Sequence, residues 1–420
     1  MSESDRDDIP PPVNHGWRVT FAGLGINLSL AIMYTWSVIS KGVPDAWGWS
    51  QAEKSLPYAI SCLVICLVMV PAGQMQDKFG PRLVATLGGV LVGLGMILAG
   101  FTTTSLGYVL GFGVLTGAGI AFAYASATPP AVKWFPPQKT GTIVGIVVSG
   151  FGLAPVYAAP LSNWLIGAFG LANAVMILGV AFLLVVSGLA QILKTPPPGY
   201  VPPGTLPRPA GSGVRESDDY RPREMLRTWQ FYVLWFMYAC GAGAGLMIIS
   251  MLAKIASVQA GLELGFVLVA VLAVGNGAGR IVAGIASDKI GRRATMLIGF
   301  VLQAILILLL SQTTEGSLPA NPAVLAVVSA LIGANYGANL ALFPSLTRDY
   351  YGLKHFGVNY GLVFTAWGFG GFMLALLAGK VYDQTGSFNF AYYCSAALLA
   401  VAAAVTFLVK PPRPMEEESR

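Results

Sequence analysis

Long apolar stretches recur along the whole 420-residue chain and constrain its fold more than any other feature. Inside a bilayer every backbone polar group must be paired within the protein, so stretches of about 20 apolar residues are predicted to be helices. Only 10% of the residues are charged, against about a quarter in soluble domains. Windowed hydrophobicity predicts about twelve spans, at 17–40, 55–76, 82–101, 106–128, 140–166, 171–193, 228–252, 264–286, 294–311, 322–346, 357–379 and 388–409.

The spans form two groups of six, separated by a segment of different composition. Residues 194–227 are rich in proline, glycine and charge, which is typical of an extended linker. We therefore predict an all-α integral membrane protein without a large soluble domain. Its predicted parts are a tail at 1–16, a six-helix bundle at 17–193, the linker at 194–227, a second six-helix bundle at 228–410 and a tail at 411–420.

The distribution of basic residues predicts the orientation in the membrane. Most of the 25 Lys and Arg residues lie in the termini, in the linker and in alternate loops. The opposite loops hold Lys41, Lys54, Lys254 and Lys380. Because short loops rich in Lys and Arg stay in the cytoplasm, both termini are predicted to be cytoplasmic. The acidic, polar start of the chain is expected to be a tail rather than a cleaved signal peptide.

A ten-residue motif occurs after the second span and again after the eighth. GQMQDKFGPR (73–82) and GIASDKIGRR (284–293) match in their glycine, aspartate and arginine positions, at an offset of 211 residues. A set of glycines in span 5 returns in span 11 at an offset of 216: Gly141, Gly145 and Gly152 correspond to Gly357, Gly361 and Gly368. Two halves related by duplication are predicted.

The repeated motif has a mechanical interpretation. An aspartate at a helix end can accept hydrogen bonds from a neighbouring helix terminus or pair with a loop arginine, and glycine allows helices to approach closely. Such contacts form in one conformation and break in another. The predicted conformational latch consists of Asp77, Arg82, Asp288 and Arg293.

This loop pattern, G-x-x-x-D-[KR]-x-G-[KR]-[KR], resembles the signature of the major facilitator superfamily, and its first copy departs from it only at Pro81. The resemblance covers all twelve spans. It implies two pseudo-symmetric six-helix bundles around a central cavity that opens alternately to the two sides of the membrane.

Arg280 lies in an otherwise apolar stretch, eight residues before Asp288. That separation is about 12 Å along a helix, well inside the hydrocarbon core. An arginine there costs about 2.5–3.5 kcal/mol, and guanidinium does not escape the cost by losing its proton. An anion that visits the site is the favoured explanation. The alternative is a structural role in which backbone carbonyls hold the side chain.

Three stretches resemble the monocarboxylate transporters and the neighbouring oxalate–formate antiporters. They are NHGWRVTFAGLGINLSL (14–30), KWFPPQKTGTIVGIVVSGFG (133–152) and the segment from Asn276 to Arg280. The resemblance implies a bacterial homologue in the inner membrane, a carboxylate bound by Arg280 and proton symport. Asn276 stands where the animal carriers have aspartate, and MYTWSV around Tyr34 stands where they have a lysine. Span 11 lacks the second cation of the oxalate antiporters.

Depth in the spans suggests further cavity residues, for which hydrogen bonding between helices is the alternative role. Phe364 and the neighbouring Trp367 are better candidates for packing than for direct contact. The predicted substrate-binding residues are Arg280, Asn276, Leu28, Tyr34, Tyr124, Asn335, Tyr336 and Phe364.

We predict a secondary transporter of small monocarboxylates of the L-lactate and pyruvate class, because one fixed cation suits one carboxylate. The alternatives are an oxalate–formate type exchanger and a non-transporting anion sensor. No nucleophile–base set or metal cluster indicates an enzyme. We expect no cofactor besides the proton as coupling ion, no nucleic acid partner, and a monomer in the lipid bilayer; the sequence does not identify an accessory protein.

Overall fold

The computed structural model describes residues 14–205, 219–261 and 265–412. The parts of the predicted tails and linker at 1–13, 206–218 and 413–420 lie outside the described residues. The long helices are α1 (Gly16–Leu30, continued by a 3₁₀ turn at Ala31–Thr35 and by Trp36–Lys41), α2 (Gln51–Phe79), α3 (Pro81–Gly100), α4 (Ser105–Lys133), α5 and α6 (together Thr140–Ala190), α7 (Trp229–Ala260), α8 (Gly265–Ile290), α9 (Arg292–Ser311), α10 (Pro322–Tyr351), α11 (Phe356–Thr385) and α12 (Asn389–Val405).

The helices have the length and composition of membrane spans, which confirms the predicted all-α membrane fold. Eight stretches of the described chain are long and apolar enough to cross a bilayer. One of them, Pro137–Ala190, has 54 residues and contains two crossings, because the chain leaves helical geometry at Gly170 with φ of 75°. In α1 the helix is interrupted by its 3₁₀ turn, and α12 is 17 residues long.

The helices form two halves, α1–α6 and α7–α12, that meet along two glycine-lined seams. In one seam α2 packs on α11, and a Cβ on Gly73 would collide with the backbone of Gly357. In the other, α5 packs on α8, and a Cβ on Gly284 would collide with the backbone of Gly141. Both glycine pairs come from the sequence repeats, so the two seams are equivalent by duplication.

The seams begin at one end of the molecule, which also carries the α2–α3 and α8–α9 turns and is called the basic end below. Gly80 and Gly291 make these turns with φ of 83° and 91°, a region that favours glycine. From the basic end the α5–α8 seam continues to Gly277 and Leu153. The halves are therefore closed against each other at the basic end.

The described end of the linker is packed against the second half. Asp219 Oδ1 accepts hydrogen bonds from the backbone N–H groups of Leu353 (2.9 Å) and Lys354 (3.0 Å) in the α10–α11 turn. Asn359 donates to the Tyr220 carbonyl at 2.9 Å. The chain then makes one helical turn, Pro222–Met225, before α7 begins. The predicted extended linker thus ends in a docked segment.

Close packing within the first half gives a stability prediction. A Cβ on Gly88 in α3 would lie 2.6 Å from the backbone nitrogen of Ala123 in α4, whereas Gly188 in α6 has open space around its Cβ position. We expect Gly88→Val to destabilise the protein by about 1–3 kcal/mol through overpacking. Gly188→Val is the matched control, because it places the same residue in a helix without the clash. Equal thermal unfolding temperatures in detergent would contradict this packing argument.

Candidate binding site between the two halves

Arg280 is completely buried where α8 meets α5. Its Nε donates to Asn276 Oδ1 at 3.0 Å, one turn away on the same helix. Its Nη1 donates to the carbonyl of Val148 in the other half at 2.5 Å. Its Nη2 is buried and has no hydrogen-bond partner. Among the described residues no carboxylate forms an ion pair with Arg280, so the Nη2 group and a whole charge remain uncompensated.

Arg280 lines a small cavity between the halves. The cavity measures about 20 Å³, which is room for one or two water molecules. Arg280 is the one charged side chain among the described residues that line it. The lining comprises Met33, Tyr34, Ile65, Met69, Ile120, Tyr124 and Phe151 from the first half and Arg280, Leu340, Phe364 and Trp367 from the second.

The cavity has a charged side and an apolar side that occupy equivalent places in the two halves. Gly145 packs on the backbone carbonyl of Arg280, and its repeat counterpart Gly361 packs on the carbonyl of Met69. Met69 and Arg280 are also separated by the 211-residue offset of the repeat. The duplication thus places a methionine directly across the pseudo-symmetry axis from the arginine.

Aromatic side chains close the cavity across the two halves. The hydroxyls of Tyr34 in α1 and Tyr336 in α10 are 3.2 Å apart, and Trp367 Nε1 donates to the Tyr336 hydroxyl at 2.9 Å. Tyr336 thus contacts two lining residues although it does not line the cavity itself. Tyr124 packs on both Phe151 and Phe364, with ring centroids 5.5 and 5.6 Å apart. The site is a mostly aromatic enclosure with one guanidinium.

Two predicted residues lie elsewhere. Leu28 packs against the hydrophobic core of the first half, and its carbonyl accepts a hydrogen bond from Tyr157 at 2.9 Å. Asn335 lines a separate cavity of about 10 Å³ within the second half, together with Gln303. The structure brings the remaining predicted residues together at or beside Arg280, namely Asn276, Tyr34, Tyr124, Tyr336 and Phe364.

Sequence reasoning missed several lining residues. Met69 could have been predicted from the sequence, because the 211-residue offset of the repeat relates it to Arg280. Phe151 and Leu340 carried none, since depth in a span does not give rotation about the helix axis. Trp367, first interpreted as packing, lines the cavity and also donates a hydrogen bond.

The two motif aspartates bind helix N-termini of the opposite half. Asp77 accepts hydrogen bonds from the N–H groups of Gly357 (3.0 Å) and Val358 (2.9 Å) at the start of α11. Asp288 accepts from the N–H groups of Gly141 (2.9 Å) and Thr142 (2.7 Å) at the start of α5. A carboxylate is favourable at a helix N-terminus because of its free N–H groups and the helix dipole. These contacts bridge the two halves at the basic end.

The motif arginines bind other partners. Arg82 donates to the carbonyl of Leu193 after α6, and Arg293 donates to the carbonyls of Thr406 and Phe407 after α12. Each therefore caps a helix end within its own half. Arg292 pairs with Asp288 at 2.6 Å and with Asp349 at 3.0 Å. The first motif copy has Pro81 at the position of Arg292, so it lacks the counterpart of these ion pairs.

Comparison with known proteins gives a consistent assignment. A family model described as Major Facilitator Superfamily matches residues 19–273 and 234–420. The oxalate:formate antiporter of Oxalobacter formigenes is 28% identical over 407 residues, which cover 95% of this chain and 92% of that protein. Monocarboxylate transporter 11 of Mus musculus is 26% identical over 175 residues, covering 41% and 39%. A crystal structure of the Escherichia coli fucose:proton symporter FucP superposes with a TM-score of 0.68 at 16% identity, covering 93% of this chain and 98% of that one.

The Asp77 contact predicts a shift in conformation. Asp77→Asn removes the charge at the α11 N-terminus, which contributes about 1 kcal/mol, so the population open at the basic end should rise about fivefold. Spin labels on Lys78→Cys and Lys354→Cys, in a chain without its native cysteines, report the separation of the halves there. Asp45→Asn, an exposed change at the opposite end, is the control. Identical distance distributions for all three proteins would show that Asp77 does not hold the seam.

Proposed function

Because the chain belongs to the major facilitator superfamily, a family of multi-pass membrane transporters, we propose that it is a secondary transporter of small monocarboxylates of the L-lactate and pyruvate class. The observation that carries the proposal is the buried Arg280 with its unpartnered Nη2 at the cavity between the halves. A carboxylate oxygen bound there supplies the missing acceptor and the missing negative charge.

The apolar side of the cavity favours one carboxylate over two. Opposite Arg280 lie Met69, Ile65 and Ile120, which accommodate a methyl group and offer no second cation. A dianion would bring a second charge into this low-dielectric enclosure without a partner, which is costly. The cavity has room for one or two water molecules, so it must widen to bind a carboxylate, and a short one requires the least widening. Asn276, beside Arg280, orients the guanidinium through its carbonyl oxygen and has an amide that can donate to a substrate hydroxyl or keto group.

Proton coupling is proposed to proceed without an acidic residue in the cavity. Among the described lining residues there is no Asp, Glu or His. The proton then travels on the substrate carboxylate beside Arg280, or through tyrosine hydroxyls and water. Transport follows alternating access in a monomer, with the basic end facing the cytoplasm of a bacterial cell.

Exchange of organic anions is the second candidate mechanism. The similarity to an oxalate:formate antiporter along 95% of this chain favours it. The two mechanisms differ in what drives uptake, since symport responds to an imposed proton gradient and exchange requires a trapped internal anion.

Replacing Arg280 tests whether its guanidinium binds the substrate carboxylate. We expect Arg280→Gln to reduce gradient-driven uptake of radiolabelled L-lactate into proteoliposomes by more than tenfold, because hydrogen bonds to a charged group contribute about 1.5–3 kcal/mol. Arg280→Lys, which keeps the charge and loses the planar fork, should retain part of the activity. Thermal unfolding should show no loss of stability in Arg280→Gln, since the substitution removes an uncompensated buried charge. Full uptake by the glutamine variant would remove Arg280 from the site.

Replacing Met69 tests whether the single cation in the cavity limits the substrate to one carboxylate. We expect Met69→Lys, which places a second cation at the equivalent position, to let oxalate compete with L-lactate at least tenfold better than in the wild type. Met69→Leu is the size-matched control and should keep the wild-type preference. Competition assays on labelled uptake measure both. Strong inhibition of the wild type by oxalate would instead favour the exchanger.

A further inference from the structure

Three buried tyrosines lie close together beside Arg280: Tyr124 lines its cavity, and Tyr238 and Tyr360 lie beyond the cavity lining. Tyr124 of α4, Tyr238 of α7 and Tyr360 of α11 come from both halves, and each is less than 10% exposed. Their hydroxyls approach closely enough to interact with one another, yet none makes a hydrogen bond of acceptable geometry. Three phenolic hydroxyls thus converge on one place, where none forms a hydrogen bond of full geometry.

The position of this tyrosine cluster follows from the order of residues along α11. Asp77 caps the first turn of α11 at Gly357 and Val358, at the basic end. Tyr360 follows, and Phe364, one turn further, lines the cavity. The rise from Tyr360 to Phe364 is about 6 Å. The tyrosine cluster therefore lies between the cavity and the closed basic end.

Phe364 contacts both polar sites. Its ring contacts all three tyrosines, with centroid distances of 5.6 Å to Tyr124, 6.3 Å to Tyr238 and 5.8 Å to Tyr360. The Arg280 charge acts on the hydroxyls of Tyr124 and Tyr238. The Phe364 ring thus belongs to the Arg280 cavity and also contacts the tyrosine cluster.

We propose that Tyr124, Tyr238 and Tyr360 form a second, inner binding site that takes the substrate carboxylate after it leaves Arg280 and before it exits at the basic end. The inference rests on the proposed monocarboxylate transport. A phenolic O–H donates to a carboxylate oxygen, so three of them replace part of the hydration that the anion lacks. Because the site carries no net charge, it binds the anion weakly enough to release it, as multi-site conduction requires.

The test is the substrate affinity measured separately from each side. Initial rates of labelled L-lactate uptake are compared in right-side-out and everted membrane vesicles, and an impermeant reagent on Lys354→Cys identifies the preparation that exposes the basic end. In a Tyr238→Phe/Tyr360→Phe double variant we expect the KM at the basic end to rise about fivefold, the loss expected for missing hydrogen bonds. The KM at the opposite end should stay within twofold, because Arg280 is untouched.

Tyr108→Phe is the matched control. Tyr108 is also a buried tyrosine whose hydroxyl lacks a partner, but it packs on Trp36 and Trp49 away from this path, so both KM values should stay at wild type. A double variant with wild-type KM on both sides, or with equal rises on both sides, overturns the inner site and leaves monocarboxylate transport standing. A wild type that moves no monocarboxylate in either preparation overturns both proposals.

Discussion

The molecule is organised around one positive charge that is not neutralised. A guanidinium keeps its proton at any physiological pH, and its placement inside the bilayer is costly. Asn276 and the Val148 carbonyl satisfy part of its hydrogen-bonding capacity, but dipoles do not replace a counterion. Since the Val148 contact reaches into the other half, the charge lies on the surface along which the two halves must separate. An anion bound as we propose would therefore act on the contact between the halves through one side chain.

Duplication explains the equivalent helix contacts that surround Arg280. The differences between the two copies explain why only one of them carries this charge. Gly73–Gly357 and Gly141–Gly284 are equivalent contacts, and so are the aspartates that cap α11 and α5. The copies differ where function needs asymmetry. Met69 faces Arg280 across the axis, and Arg292 pairs with Asp288 in the second copy where Pro81 begins a helix in the first. A symmetric pair of arginines would instead make a site for two charges.

The features that could be predicted from the sequence are those whose residue types are unusual in a soluble protein or in a membrane span. The twelve apolar spans and Arg280 stand out because exposing polar backbone or a charge to lipid costs free energy. Asp77 and Asp288 were recognised through their repeated motif. The parts that depend on helix rotation were not predictable. Asn335 and Tyr336 are neighbours at the same depth, yet one faces a cavity within the second half and the other contacts Tyr34. The docking of Asp219 on the α10–α11 turn depends on tertiary contacts that leave no local pattern.

The glycine-lined seams have a consequence for the energetics of switching. Where backbone lies directly on backbone, as at Gly73 with Gly357 and Gly141 with Gly284, little apolar side-chain area is buried that separation would expose. Heat-capacity changes scale with exposed apolar area. Opening these seams is therefore accompanied by a small heat-capacity change, and the enthalpy of opening varies little with temperature. The polar contacts across these seams are those of Asp77 and Asp288 with helix N-termini, so opening them exposes two carboxylates to the ions of the surrounding solution.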